Sequence, residues 1–173
     1  GAGQGITYDP ERLKVIWEQL ARQSNVNIIY HSLVMDVVTA QSNIQSVIFA
    51  NKSGLFAQSA DIIIDASGDA DVAAWAGVPF ESAQNQPVQS LTTTFKLINV
   101  DIARAQQVKK AELHAFMENA PGYDLPRKEG SAHITTLAGV MATNMTRVTN
   151  LDPTDMFQLS AAESEGRRQA LEY

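Results

Sequence analysis

The stretch Ile62-Ile63-Ile64-Asp65-Ala66-Ser67-Gly68-Asp69-Ala70-Asp71 constrains this chain more than any other. Three consecutive β-branched residues suit a pleated surface better than a helix, and a run without polar alternation predicts a strand covered on both faces, as in a parallel sheet. The run stops in small and acidic residues, and Asp71–Ala76 then reads as a short alanine-rich helix. Asp69 stands where an N-cap belongs, Gly77 where a left-handed terminal residue belongs, and Pro79 blocks continuation. In open α/β sheets, ligands lie outside the carboxyl ends of the strands. The corner Ala66-Ser67-Gly68-Asp69 is therefore the candidate ligand site. A helix N-terminus attracts phosphate through its free N–H groups, but a carboxylate in the cap consumes donors and repels an anion. The corner thus suits sugar or polyol hydroxyls better than a pyrophosphate.

Upstream, Asp9 as cap, Pro10 at the first helical position and Glu11 in the first turn mark a helix start. Leu13, Ile16, Trp17 and Leu20 fall on one face, which makes Trp17 a core anchor, and the helix ends near Ser24-Asn25. Val26–Tyr30 reads as a strand. Leu33–Thr39, Ile44–Ala50 and Leu55–Ser59, joined by the turns Gln41-Ser42-Asn43 and Asn51-Lys52-Ser53-Gly54, read as a three-stranded antiparallel meander inserted before the buried strand. The opening Gly1-Ala2-Gly3-Gln4-Gly5-Ile6 fails the dinucleotide fingerprint, because Ile6 stands where the third glycine belongs. It reads as a flexible lead-in.

Downstream, Glu81–Gln89 is polar and unpatterned and marks a boundary, dividing the chain into 1–80 and 81–173. Leu91, Thr93, Phe95 and Leu97 alternate with polar residues, as a half-buried strand does. Asp101 caps a helical region reaching about Asn119 with a break near Lys110, and Pro121-Gly122 ends it. After a loop over Tyr123–Ser131, two β-like runs follow, Ile134–Leu137 and Val140–Val148. Asp152-Pro153-Thr154-Asp155, with Asp152 read as the cap, opens a last helix with Met156, Leu159, Ala162, Gly166 and Ala170. That helix meets no stop signal, as in a chain that continues.

Several function classes are excluded or disfavoured. The 173 residues suffice for one domain or slightly more, burying roughly 70% of the unfolded surface. With no cysteine, disulfides, zinc–thiolate sites, iron–sulfur ligation and thiol catalysis are ruled out, which fits a cytoplasmic setting. Net charge is −6, and the basic pairs Lys109-Lys110, Arg127-Lys128 and Arg167-Arg168 form no stripe, so no nucleic-acid partner is expected. No run is long enough to span a bilayer, so no membrane partner is expected, and no signal peptide opens the sequence. His31, His114 and His133 lack metal-ligand spacing, and no metal site is expected. Neither a G-x-S-x-G elbow nor a Walker loop is present. Asn144 and Arg147 are polar residues within a β-like run; they suit hydrogen bonding to an anionic substrate, and an outward strand face explains them equally well.

Taken in order, Tyr8-Asp9-Pro10-Glu11, the amphipathic helix, Val26-Asn27-Ile28-Ile29-Tyr30-His31, Val34, the meander and Ile64-Asp65-Ala66-Ser67-Gly68-Asp69-Ala70-Asp71-Val72-Ala73-Ala74 resemble the FAD-dependent oxidoreductase family. The corresponding strand end there commonly reads D-A-T-G-D-G-D-V-A. This chain has Ser67 for the threonine and Ala70 for the glycine, both mild changes on paper. Asn144-Met145-Thr146-Arg147-Val148, Asp152-Pro153-Thr154-Asp155 and Ala162-Glu163-Ser164-Glu165-Gly166-Arg167-Arg168-Gln169 also look like this family.

The resemblance implies FAD as cofactor, hydride exchange with a small-molecule substrate and an α/β fold with some α+β character. The expected architecture is a partial Rossmann-like FAD/NAD(P)-binding domain carrying the meander (1–80), followed by part of a substrate domain (81–173). Val34 would contact the adenine through its backbone, and Ala66, Ser67, Gly68 and Asp69 would line the cofactor cleft. No family catalytic residue maps onto the chain. The family's strand–G-x-G-x-x-G–helix unit, its acidic residue for the adenosine ribose and its closing Gly-Asp segment are not in the sequence. An internal fragment that binds FAD weakly or not at all is therefore expected, with an exposed sheet edge that favours a homodimer or partial rearrangement. Two other readings stand beside it: a stand-alone, non-catalytic binding or structural domain, and a nicotinamide-dependent dehydrogenase of related architecture.

Overall fold

In the computed structural model, residues 7–81 and 89–173 are described. They form two compact units, one of residues 18–81 and the other of 7–17 with 89–173. The lead-in Gly1–Gly5 and most of the boundary segment Glu81–Gln89 lie outside the described residues. Both sheets are antiparallel, and helices and strands are mixed throughout.

The division falls inside α1 (Pro10–Gln23). Its start is as expected: one Asp9 carboxylate oxygen accepts the peptide N–H groups of Glu11 and Arg12. Its end is also as expected, with Asn25 in the left-handed conformation at φ 56°. The apolar stripe behaves differently. No residue of α1 is buried, and Trp17 is 62% exposed, so it is not a core anchor. Helical periodicity shows that a face is apolar, but it does not supply the surface that covers it.

In the first unit, β1 (Leu33–Ala40), β2 (Asn43–Asn51) and β3 (Gly54–Gln58) form the meander in the order β1-β2-β3. Gln41 and Ser42, both at positive φ, make a two-residue hairpin whose twist matches the strands. Phe49 and Phe56 face each other across β2 and β3 with rings stacked 5.2 Å apart. A register shift between Val34 and Asp36 bends β1 beside its start. The helix α2 (Asp71–Trp75) packs against β1, and Val47 and Val72 are the buried apolar residues of this unit.

Two expected strands do not form. Val26–Tyr30 and Ile62–Ile64 are irregular, and Ile62 and Ile64 are 82% and 86% exposed. A strand buried in a parallel sheet needs neighbours on both edges to take its peptide groups. Among the described residues, no strand lies beside either segment.

The second unit carries β4 (Lys96–Leu97), α3 (Ile102–Ala105), α4 (Lys110–Glu118), β5 (Ser131–Ile134), β6 (Met141–Asn144) and α5 (Met156–Glu172), with sheet order β4-β6-β5. Asp101 caps α3 through the Arg104 N–H, and the break before Lys110 separates α3 from α4. The expected strand Leu91–Leu97 is only partly regular. Leu91 pairs with Val148 and Lys96 with Ala142, so the partner chain holds one extra residue between them, a bulge at Asn144-Met145. Threonine hydroxyls bridge the bulge. Thr146 Oγ1 accepts the Thr93 N–H at 2.8 Å and donates to the Thr93 carbonyl at 3.0 Å, while Thr143 Oγ1 does the same for Phe95 at 3.2 and 2.8 Å. Thr146 is fully buried.

α5 is capped by Asp155, which accepts from Phe157 and Gln158; Asp152 instead turns the chain through Thr154. Its inward positions are Ala162, Gly166 and Gln169. Gly166 lies so close to Thr93 that an added Cβ would sit 2.9 Å from the Thr93 Cβ and overlap its hydroxyl.

Candidate functional site

The corner after Ile64 is built around Asp65. One of its carboxylate oxygens accepts the Ser67 N–H at 3.0 Å and the other accepts the Ala73 N–H at 3.0 Å, while Ser67 Oγ accepts the Asp71 N–H at 2.9 Å. These bonds hold the Asp65 carboxyl below its ordinary pKa, the Ser67 peptide contributing most. Asp65 and Ser67, not Asp69, therefore satisfy the start of α2. The N-cap position belongs to Ala70, which makes no side-chain cap and lies in the left-handed region at φ 59°, ψ 40°. Gly68 precedes it at φ 102°, with open space where a Cβ would be. Ala66, Ser67, Gly68 and Asp69 are all exposed. Val34 is half-buried on β1, the strand against which α2 packs.

The left-handed turn explains the glycine of the D-A-T-G-D-G-D pattern. An L-residue there brings Cβ against the following carbonyl. Ala70 in place of that glycine is a strained substitution, not a mild one.

In the other unit, the second pair of candidates belongs to a polar cluster. Arg147 Nη2 lies 2.8 Å from Glu129 Oε1, and Arg127 Nε lies 3.5 Å from the same oxygen. Arg127 Nη1 donates to Asn144 Oδ1 at 2.9 Å. The helix α5 fixes both arginines by their main chains. Gln169 Oε1 accepts the Arg147 N–H at 2.8 Å and Gln169 Nε2 donates to the Arg147 carbonyl at 3.0 Å. One turn later, Tyr173 Oη accepts the Arg127 N–H at 2.9 Å and donates to the Arg127 carbonyl. Burial pushes the Tyr173 phenol up. The Glu129 carboxyl is held down, first by its own peptide N–H and then by Arg147. Glu165 is drawn down to about 2 by hydrogen bonding from Arg168 and then Gln169.

A family model described as FAD dependent oxidoreductase matches residues 1–173, the whole sequence. The chain belongs to the FAD-dependent oxidoreductase family. No curated protein and no solved structure matches it.

For a member of this FAD-dependent oxidoreductase family, the corner fits one part of the cofactor and not another. Gly68 and Asp69 stand open to solvent, and no hydrogen bond among the described residues engages their peptide N–H groups. The Ser67, Asp71 and Ala73 N–H groups are already bonded to Asp65 or Ser67. The open donors are therefore those of Gly68 and Asp69 alone, and the Asp69 carboxylate stands beside them, which weakens the corner as a phosphate cradle. This mix of two open donors and a carboxylate suits a hydroxyl-bearing sugar or ribityl group better than a pyrophosphate.

Sequence reasoning missed Asp65, Arg127, Glu129, Gln169 and Tyr173. A signal for two of them was present. Ala162, Gly166, Gln169 and Tyr173 follow one helical face, and a glutamine among small inward residues points to a buried hydrogen-bonding task. The His133 ring, by contrast, bonds its strand neighbour Ser131, Nε2 to Oγ, at 2.9 Å. Among the described residues, no helix is long and apolar enough to cross a membrane.

Proposed function

We propose that this chain supplies the hydroxyl-binding side of an FAD cleft, together with substrate-facing residues, in an oxidoreductase that exchanges a hydride with a small molecule. The observation that supports this most is the corner itself, an exposed Gly68–Ala70 turn with positive φ at Gly68 and Ala70, beside which the Ser67, Asp71 and Ala73 N–H groups are taken by Asp65 and Ser67. In this reading Ala66, Ser67, Gly68 and Asp69 line the cofactor, with the free Gly68 and Asp69 peptides and the Asp69 carboxylate receiving hydroxyls. Val34 offers its main chain to the adenine. Residues 1–80 are the later part of a Rossmann-like FAD-binding domain and 81–173 part of a substrate domain. The pyrophosphate falls to a glycine-rich turn that this sequence does not contain.

When bound, FAD supplies the hydride chemistry at its isoalloxazine. The protein's residues position and orient. Asn144, re-aimed by the bulge, and Arg147, held by Gln169, face an anionic part of the substrate. The reading places the protein in the cytoplasm. It also gives it a second copy as partner, because the outer strands of the meander carry exposed Leu33 and Leu55; a clean monomer in sizing with light scattering rules the second copy out.

The test is titration of FAD into the purified chain, followed by flavin fluorescence. Weak, saturable binding removed by Gly68→Val is the expected result. Tight stoichiometric binding, or binding indifferent to Gly68→Val, overturns the assignment of the corner.

A further inference from the structure

Two guanidinium groups converge on one carboxylate in the second unit, and that carboxylate serves them unequally. Glu129 Oε1 makes a short contact to Arg147 at 2.8 Å. The same oxygen stands 3.5 Å from Arg127 Nε, which is buried and, among the described residues, has no hydrogen-bond partner. A buried N–H left unbonded costs free energy, and more so on a charged group. Gln169 and Tyr173 hold the main chains of the two arginines from adjacent turns of α5, and the Arg127 guanidinium is tied to Asn144 through Nη1 at 2.9 Å. Glu129 is not fixed in the same way. Its side chain is more than half exposed, and it lies in the loop before β5.

We propose that Arg127 and Arg147 form a carboxylate-binding site in which Glu129 is a resident occupant that an incoming ligand carboxylate displaces. This rests on the reading of Asn144 and Arg147 as substrate-facing and names the chemical class that they receive. Guanidinium forks match a planar carboxylate through paired N–H donors, and the group already seated there is a carboxylate. A ligand with two free oxygens bonds Arg147 with one and gives Arg127 Nε its missing acceptor with the other. Two cations against one anion also leave the site positive once Glu129 has swung out. Asn144, with its amide carbonyl already accepting from Arg127, keeps an NH₂ group to offer the same ligand.

The experiment titrates succinate into the full chain and, in parallel, sulfate, an anion of equal charge and tetrahedral shape. Affinity is read by calorimetry, and the arginine Nε–Hε resonances by heteronuclear NMR. Succinate is expected to bind saturably and to move the Arg127 Nε–Hε resonance, a shift that a merely structural cluster does not produce. Glu129→Gln removes the competitor and raises succinate affinity about tenfold, and Arg147→Gln lowers it by about the same factor. Glu129→Gln alters an exposed side chain and does not put folding at risk. Unchanged succinate affinity in Glu129→Gln, with loss in Arg147→Gln, overturns displacement while leaving the substrate-facing reading intact. Sulfate binding as tightly as succinate overturns the carboxylate class. No succinate binding to the parent chain or to Glu129→Gln overturns both the inference and that reading.

Discussion

The Gln169 side chain holds the Arg147 peptide at both ends, accepting its N–H at 2.8 Å and donating to its carbonyl at 3.0 Å. Gln169 is 3% exposed, so neither end has water as a substitute. A side-chain amide here does what a neighbouring strand does elsewhere. It fixes the main chain of an arginine while leaving the guanidinium free.

Gln169→Leu keeps the volume and removes both bonds, leaving a buried N–H and a buried carbonyl unpaired. The expected loss is about 3 kcal/mol, seen as a lower urea midpoint with an unchanged slope. A loss within error of zero would mean that water replaces the amide.

Gly166→Ala drives a methyl into Thr93, whose Cβ would stand 2.9 Å away. Overpacking of this kind costs about 2 kcal/mol or more. Thr93→Ala removes the hydroxyl that suffers the worst overlap, so the double variant loses less than the two single losses added together. Strict additivity in the double-mutant cycle would place the cost elsewhere.

Ala70 occupies a left-handed position at φ 59°. Ala70→Gly therefore stabilises the chain by about 1 kcal/mol, despite the extra freedom that glycine gives the unfolded state. Thermal melting reads the gain. A lower melting temperature for Ala70→Gly would show that the turn is not strained.

Acid sensitivity follows from depressed carboxyl groups. Glu165 binds its proton at about 2 when folded and near 4.5 when unfolded. Between those values the unfolded chain holds more protons, so its stabilising contribution is complete above pH 4.5 and disappears as pH falls towards about 2. Asp65, lowered from 3.8, acts in the same direction below that value. Denaturant midpoints measured down through this window should fall, and Glu165→Gln should flatten the slope. An unaltered slope in Glu165→Gln would contradict the assignment.

Signals that encode bonds within a few residues were legible in the sequence. Asp9 and Asp101 cap the helices that follow them, Gln41-Ser42 turns the hairpin, and Gly77 ends α2 at φ 80°. Where two acids compete for one task, the sequence pointed to the wrong one. Asp65 satisfies the start of α2 instead of Asp69, and Asp155 caps α5 instead of Asp152, because cap geometry depends on how the chain turns just before the helix. Apolar runs were the least reliable. Trp17 and Ile62–Ile64 announce surfaces that want cover, and the identity of the cover is a property of other segments. Of the candidate site, Ser67, Gly68, Asn144 and Arg147 were visible as unusual residues in their settings. Their supports Asp65, Glu129 and Gln169 were not, since those contacts depend on folding.

At two points of the seam between residues 91–97 and 141–148, threonine hydroxyls take up peptide groups of the facing segment, at Thr93 alone and at Phe95 beside a main-chain hydrogen bond from Thr143. Ordinary strands accept almost any neighbour, because every backbone offers the same atoms. This seam also reads composition, since a foreign segment without hydroxyls at those two places would leave the Thr93 peptide and the Phe95 N–H without their partners.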